Sequence, residues 1–279
     1  MSESTPETAA PVLRDTLAAD LRRLGVPAGG LVLAHVSLSA LGWVVGGPVA
    51  VVQALLDVLG PRGTLVVPTY SGQNSEPAYW RDPPVPQPWW DTIRAAMPGF
   101  HVKVTPTHGM GAVAAVLRNW PVARRSNHPT ASFAAIGPLA DQLTERHPLS
   151  PMLGASSPLA RIGPADGLVL LLGVGHDRNT SLHLAEYGAP GAALSARHGA
   201  AVSVQGERRW VTWPDLIFEH ADFAALGAAY ERTGAVRVGP VGHGTARLMP
   251  QTDLLRFAGA WFAQHRADPS RRAGAAAGP

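Results

Sequence analysis

The 279-residue chain reads as an α/β protein: a mixed, mostly parallel sheet flanked by helices, with an added antiparallel hairpin region. Three observations predict this. Short β-forming runs alternate along the chain with segments of helical periodicity, the pattern of a sheet with helices on its faces. One run, LVLLLGV at 168–174, is aliphatic apart from its glycine, which suits a strand at the centre of such a sheet. Gln205 and Gly206 separate two further β-forming runs, a two-residue turn of the kind that joins antiparallel strands.

Taken in order, PETAAPVLRDTLAADLRRLG (6–25) is amphipathic and stopped by glycine, and LVLAH (31–35) follows as a strand. PVAVVQALLDVLG (48–60) is a second glycine-stopped helix and TLVVP (64–68) a second strand. The stretch SGQNSEPAYWRDPPVPQPWW (71–90) is long, proline-rich and without period, and its Trp and Tyr residues predict an ordered wall. GAVAAVLRNW (111–120) is a helix and SFAAIG (132–137) a strand; the strand at 168–174 leads into a short helix SLHLAEYG (181–188), and VSVQGERRWVTW (202–213) holds the hairpin turn. The expected organisation is a single domain over 11–266 between disordered ends at 1–10 and 267–279.

Composition narrows the function classes. The chain is 46% hydrophobic and 15% charged, enough to bury a large core. Its net charge of +3 comes from scattered arginines, with no basic stripe interleaved with aromatics, so no nucleic-acid partner is expected. No apolar run approaches the roughly 18–20 residues of a spanning helix, and the start lacks a signal-peptide pattern, so no membrane partner and a cytoplasmic location are expected. The absence of cysteine excludes disulfides, thiolate metal sites and a cysteine nucleophile. The oligomeric state is unassigned.

The chemistry concentrates where the strand at 168–174 ends, in GHDRNTSLHLAE (175–186). Ligands of open α/β sheets sit beyond the carboxyl ends of strands. Asn179 or Thr180 can cap the following helix, on which His183 and Glu186, three apart, share a face. His176 and Asp177 fall in the preceding loop. Each residue has an ordinary structural use: a hydrogen-bonded core histidine, a solvated helix position, or an acid favoured by the helix dipole. Their convergence points to chemistry. No H-E-x-x-H or comparable spacing supports a metal, so none is expected, and no G-x-S-x-G supports a serine nucleophile. A general base needs only a histidine and a carboxylate to orient it. Two glycine-bearing segments, THGMGAVAAV (107–116) and HVSLSALGWVVGGP (35–48), could let a phosphate-bearing group approach a helix start.

The segments LAHVSLSALGWVVGGP, GTLVVPTYSG, THGMGAVAAVLRNWP, RSNHPTASFAAIGP and LLLGVGHDRNTSLHLAEY, in that order, closely resemble the aminoglycoside 3-N-acetyltransferase family, over about residues 12–264. The resemblance implies acetyl-coenzyme A as donor and the 3-amino group of a 2-deoxystreptamine antibiotic as acceptor, on a fold distinct from the common GNAT acetyltransferases. It makes His183 the general base, Asp215 the carboxylate paired with it, and Thr180 an oxyanion-stabilising hydroxyl. It matches Ser37, Ser39 and Gly111 to coenzyme A segments, with Val36 replacing a serine common in the family. It places Asn74 where some relatives carry an acidic residue facing the antibiotic, and Asp215 where some have glutamate. Because aminoglycosides are polycations, Asp177, Glu186 and Glu76 are the carboxylates expected in the acceptor cleft. The expected route is direct transfer in a ternary complex. The alternatives are acetylation of another amine, such as a biosynthetic intermediate, and non-catalytic binding of an aminoglycoside.

Overall fold

A computed structural model describes residues 10–267, residue 82 excepted; the expectations for 1–9 and 268–279 lie outside the described residues. The strands are β1 (Leu31–Val36), β2 (Thr64–Pro68), β3 (Arg124–Arg125), β4 (Phe133–Ile136), β5 (Leu168–Leu172), β6 (Ala196–Val204), β7 (Glu207–Asp215), β8 (Arg237–Val241) and β9 (Gly244–Pro250). The helices are α1 (Arg14–Leu24), α2 (Gly47–Leu59), α3 (Trp90–Ala96), α4 (Gly111–Arg118), α5 (Ala140–Thr144), α6 (Pro158–Ile162), α7 (Ser181–Glu186), α8 (Phe223–Glu231) and α9 (Gln251–His265).

The three most aliphatic strands, β1, β2 and β5, lie side by side and parallel at the middle of a seven-stranded sheet of order β3-β4-β2-β1-β5-β9-β8. Alternation along them sorts the two faces. Val32 and Ala34 of β1, with Leu65, Val67, Leu170 and Leu172, pack under α1, α2 and α4. Leu31, Leu33 and Val66 face α5 and α6, and Val169 and Leu171 face α7, α8 and α9. Both faces are covered, which is why these strands read as unbroken aliphatic runs.

The mixed α/β class holds, but the expected predominance of parallel pairing does not. Only β1–β2 and β1–β5 are parallel, while β2–β4, β3–β4, β5–β9 and β8–β9 are antiparallel. For β8 and β9 the reason is connection length: Gly242 and His243 alone join them, and a link that short can only reverse the chain. The hairpin stands where it was expected. β6 and β7 form a separate two-stranded sheet, and its turn residues Gln205 and Gly206 both take positive φ, 52° and 85°. That is the twist-matched turn of a two-residue hairpin. The long loop after β2 packs on this hairpin: both side-chain amide atoms of Asn74 bond to the backbone of Ala201, at 3.0 and 3.1 Å.

Beneath the hairpin two imidazoles are buried side by side, ring centroids 4.7 Å apart. His147 Nε2 donates to the Met152 carbonyl (2.7 Å) and its Nδ1 accepts from Ser126 Oγ (2.9 Å). His128 Nδ1 accepts from the Ala131 N–H (2.9 Å) and Nε2 donates to the Leu149 carbonyl (3.2 Å). Burial pushes them down to about 3 (His128) and about 4 (His147), against 6.5 unperturbed. The unfolded chain binds these protons first, so their contribution is complete above pH 6.5 and is lost as pH falls toward 4. Urea melts should show stability decreasing over that window by about 1 kcal/mol per pH unit for each histidine; a flat profile between pH 7 and 5 would contradict the buried neutral pair.

Candidate active site at the carboxyl ends of the central strands

Because β1, β2 and β5 run parallel, their carboxyl ends open on one side, and a cleft of about 1170 Å³ lies there. Three of the residues predicted to bind there, Ser37, Ser39 and Gly111, line it, as do Thr180 and Arg178. The Ser37 and Ser39 hydroxyls are 3.2 Å apart. Helices α2 and α4 both begin at the cleft without a side-chain cap; at α2 the Gly47 N–H is taken by the Val44 carbonyl (2.9 Å) and Pro48 has none, so α4 presents the freer start. Free helix N-termini favour an anion. Gly111 sits at φ 78°, and a Cβ there would approach the Val36 carbonyl oxygen at 3.4 Å. Glycine therefore keeps this entry close to β1 without strain. Asp177 lies beside the cleft, half exposed and ion-paired with Arg178 at 3.1 Å.

At the inner end, α7 is held by the turn before it. The Asn179 carboxamide oxygen accepts from the Ser181 N–H (3.2 Å), and Gln251 of α9 donates to the Ser181 hydroxyl (3.0 Å). Thr180 follows Asn179, and His183 comes one turn later, its N–H bonded to the Thr180 carbonyl. The ring of His183 lies between Phe218 and Phe223, centroids 5.0 Å from each. Its Nδ1 is 2.6 Å from Glu186 Oε2. Nε2 makes no hydrogen bond among the described residues, so a neutral ring with its proton on Nδ1 presents a free lone pair there.

Three assignments are corrected by this geometry. Asp215 does not pair with His183. It is fully buried and accepts from the Met152 N–H (2.7 Å), the Leu216 N–H (2.8 Å) and the Tyr187 hydroxyl (2.7 Å), which engage both of its oxygens away from the histidine. Glu186 does not face an acceptor; it is the histidine's partner, and its other oxygen accepts from Arg266 Nη1 (2.8 Å) and the Glu219 N–H (3.0 Å). Asn74 is buried, with both amide atoms turned to the backbone of Ala201 rather than to the cleft. Glu76, too, is engaged, by Arg94 at 2.5 Å. His176 turns away to Glu231 at 3.1 Å.

Two residues escaped the sequence reading. His35, the penultimate residue of β1, borders the cleft; burial, reinforced by the nearby His183, pushes it down to about 3, so its ring is neutral. Tyr70, after β2, is partly buried with its hydroxyl out of solvent beside Thr180, and that burial pushes the hydroxyl well above the usual range. A polar residue ending an aliphatic strand was the available signal for His35. Among the described residues, no group of three or more His, Asp or Glu is placed to hold a metal ion, and no helix is long and apolar enough to cross a membrane.

Residues 33–263 match a family model described as aminoglycoside 3-N-acetyltransferase. The chain superposes on the crystal structure of YokD from Bacillus subtilis with a TM-score of 0.91 and 40% identity, covering 95% of this chain and 98% of that one. It is 37% identical to aminoglycoside N(3)-acetyltransferase VIII of Streptomyces fradiae, over 96% of each chain. A further structure, AAC-IIIb in a binary complex with CoASH, aligns with a TM-score of 0.81 at 27% identity, over 91% of this chain and 97% of that one.

The corrected place of Asp215 has a measurable consequence. Asp215→Asn replaces an acceptor oxygen by an NH₂ group facing another donor, and should lower unfolding stability by about 2 kcal/mol. A urea midpoint equal to that of the parent chain would show that the three hydrogen bonds hold nothing in place.

Proposed function

This chain belongs to the aminoglycoside 3-N-acetyltransferase family, and we propose that it moves the acetyl group of acetyl-coenzyme A directly to the 3-amino group of a 2-deoxystreptamine aminoglycoside, with His183 as general base. The observation that carries this reading is the 2.6 Å contact between His183 Nδ1 and Glu186, which leaves Nε2 as the base. What supports acetyl-coenzyme A in the cleft is the uncapped start of α4, suited to phosphates, and the close backbone approach allowed by Gly111. Ser37, Ser39 and Gly111 would hold it. When bound, it supplies an acyl carbon already activated as a thioester.

His183 takes the proton released as the amine nitrogen bonds to that carbon, and returns it to the sulfur as the carbon–sulfur bond breaks. Glu186 keeps the ring in its Nδ1-protonated form and stabilises the imidazolium between the two transfers. Thr180, lining the cleft one turn before His183, is positioned to donate a hydrogen bond to the oxygen that gains charge. On the acceptor side Asp177 is the expected carboxylate that remains half exposed. A second reading, acetylation of another amine, is favoured by one observation: Glu186 and Glu76, expected to meet a polycation, are engaged by Arg266 and Arg94. Rates across a panel of amines, with aminoglycosides lacking a free 3-amino group included, separate the two.

His183→Ala should lower kcat by about 10²–10⁴-fold, the range of a general-base contribution, while acetyl-coenzyme A affinity changes little. Labelled acetyl-coenzyme A alone should leave no stoichiometric label on the chain. Near-full turnover of the variant, or an acetylated Thr180, would defeat direct transfer through this histidine.

A further inference from the structure

The family model ends at residue 263, yet the carboxylate behind His183 is held from beyond that point. Arg266, just past α9, is itself 9% exposed and places Nη1 2.8 Å from Glu186 Oε1. Its remaining donors are fixed in turn: Nε and Nη2 grip the two Asp222 oxygens at 2.8 and 2.6 Å, and Nη2 reaches the Glu219 carbonyl at 2.8 Å. The guanidinium lies 3.9 Å over the Phe262 ring. The result is a continuous chain Asp222–Arg266–Glu186–His183, drawn from α7, the end of α9 and the segment leading into α8.

Resting on the general-base reading above, we infer that Arg266 is a positioning residue for the acetyl transfer: it locks the Glu186 carboxylate so that one oxygen is committed to His183 Nδ1. A glutamate has three rotatable side-chain bonds, and a carboxylate held only by the imidazole could swing away from it. Arg266 and the Glu219 N–H tie down Oε1, which leaves Oε2 a single place to stand. Charge acts in the same direction. Glu186 is 3% exposed, and a buried carboxylate is tolerated only with a compensating cation. His183 cannot be that cation in its resting, proton-accepting form, so Arg266 supplies it. Lysine would not substitute fully, because one ammonium cannot fork to Asp222 and bridge to Glu186 in the same plane.

The test uses the full chain with acetyl-coenzyme A and a 2-deoxystreptamine aminoglycoside. Arg266→Ala should lower kcat about 10- to 100-fold, the scale known for outer partners of metal-bound histidines, with the KM for acetyl-coenzyme A unchanged. Added ethylguanidinium should restore several-fold of the loss, and Arg266→Lys should fall between the two. Asp222→Asn, at the more exposed end of the chain, should show a smaller drop in kcat at unchanged KM, and it decides the matter if Arg266→Ala does not fold. Parental kcat in Arg266→Ala or, in that event, in Asp222→Asn overturns the inference, as does a loss that ethylguanidinium leaves untouched. If His183→Ala also kept its turnover, the general-base reading would fall and this inference with it; an inactive His183→Ala beside a fully active Arg266→Ala overturns the inference alone.

Discussion

The buried carboxylate of Glu186 ties distant parts of this molecule together. Removed from water, it must be met by donors and a positive charge. Three donors from three parts of the chain do this: the His183 ring on its own helix, the Glu219 backbone, and Arg266 past the last described helix. Satisfying one charge thus fixes α7 against α9 and draws in the segment after the hairpin. His183 takes its orientation from that requirement, while its Nε2 has no hydrogen-bond partner among the described residues.

The cleft in front follows from the parallel centre of the sheet. Three parallel strands point their carboxyl ends to one side, where α2 and α4 begin without side-chain caps. In the proposed reading the dipole at the start of α4, rather than a cluster of cations, receives the anionic co-substrate. Arg178 stands near this group, half engaged with Asp177. The β6–β7 hairpin and the loop after β2 are joined to each other through Asn74 and Ala201.

How much of this the sequence discloses depends on distance along the chain. β1, β2 and β5 are legible because burial on both faces forces aliphatic runs, and the hairpin turn because two positive φ angles call for a pair such as Gln205 and Gly206. β8 and β9 are hidden by the exposed Arg237 and Val238 and by Pro240, which break any alternation. The three-residue spacing of His183 and Glu186 places them on one helix face, but spacing alone does not say that the second serves the first. The partner role expected for Asp215 fails because engagement of both its oxygens by Met152, Leu216 and Tyr187 is a property of folded space. Arg266, 80 residues from Glu186, leaves no local signature at all.

The proposed role of His183 requires a ring that carries its proton on Nδ1, held by Glu186, and leaves Nε2 bare. Nitrogen-15 NMR of the histidine-labelled chain, assigned by comparison with His183→Ala, reads this tautomer directly. An Nδ1-bound proton shifted far downfield by its short hydrogen bond, coupled to a pyridine-like Nε2, is the expected result. A neutral His183 carrying its proton on Nε2 would contradict it, because no lone pair would then remain to accept the proton of an amine.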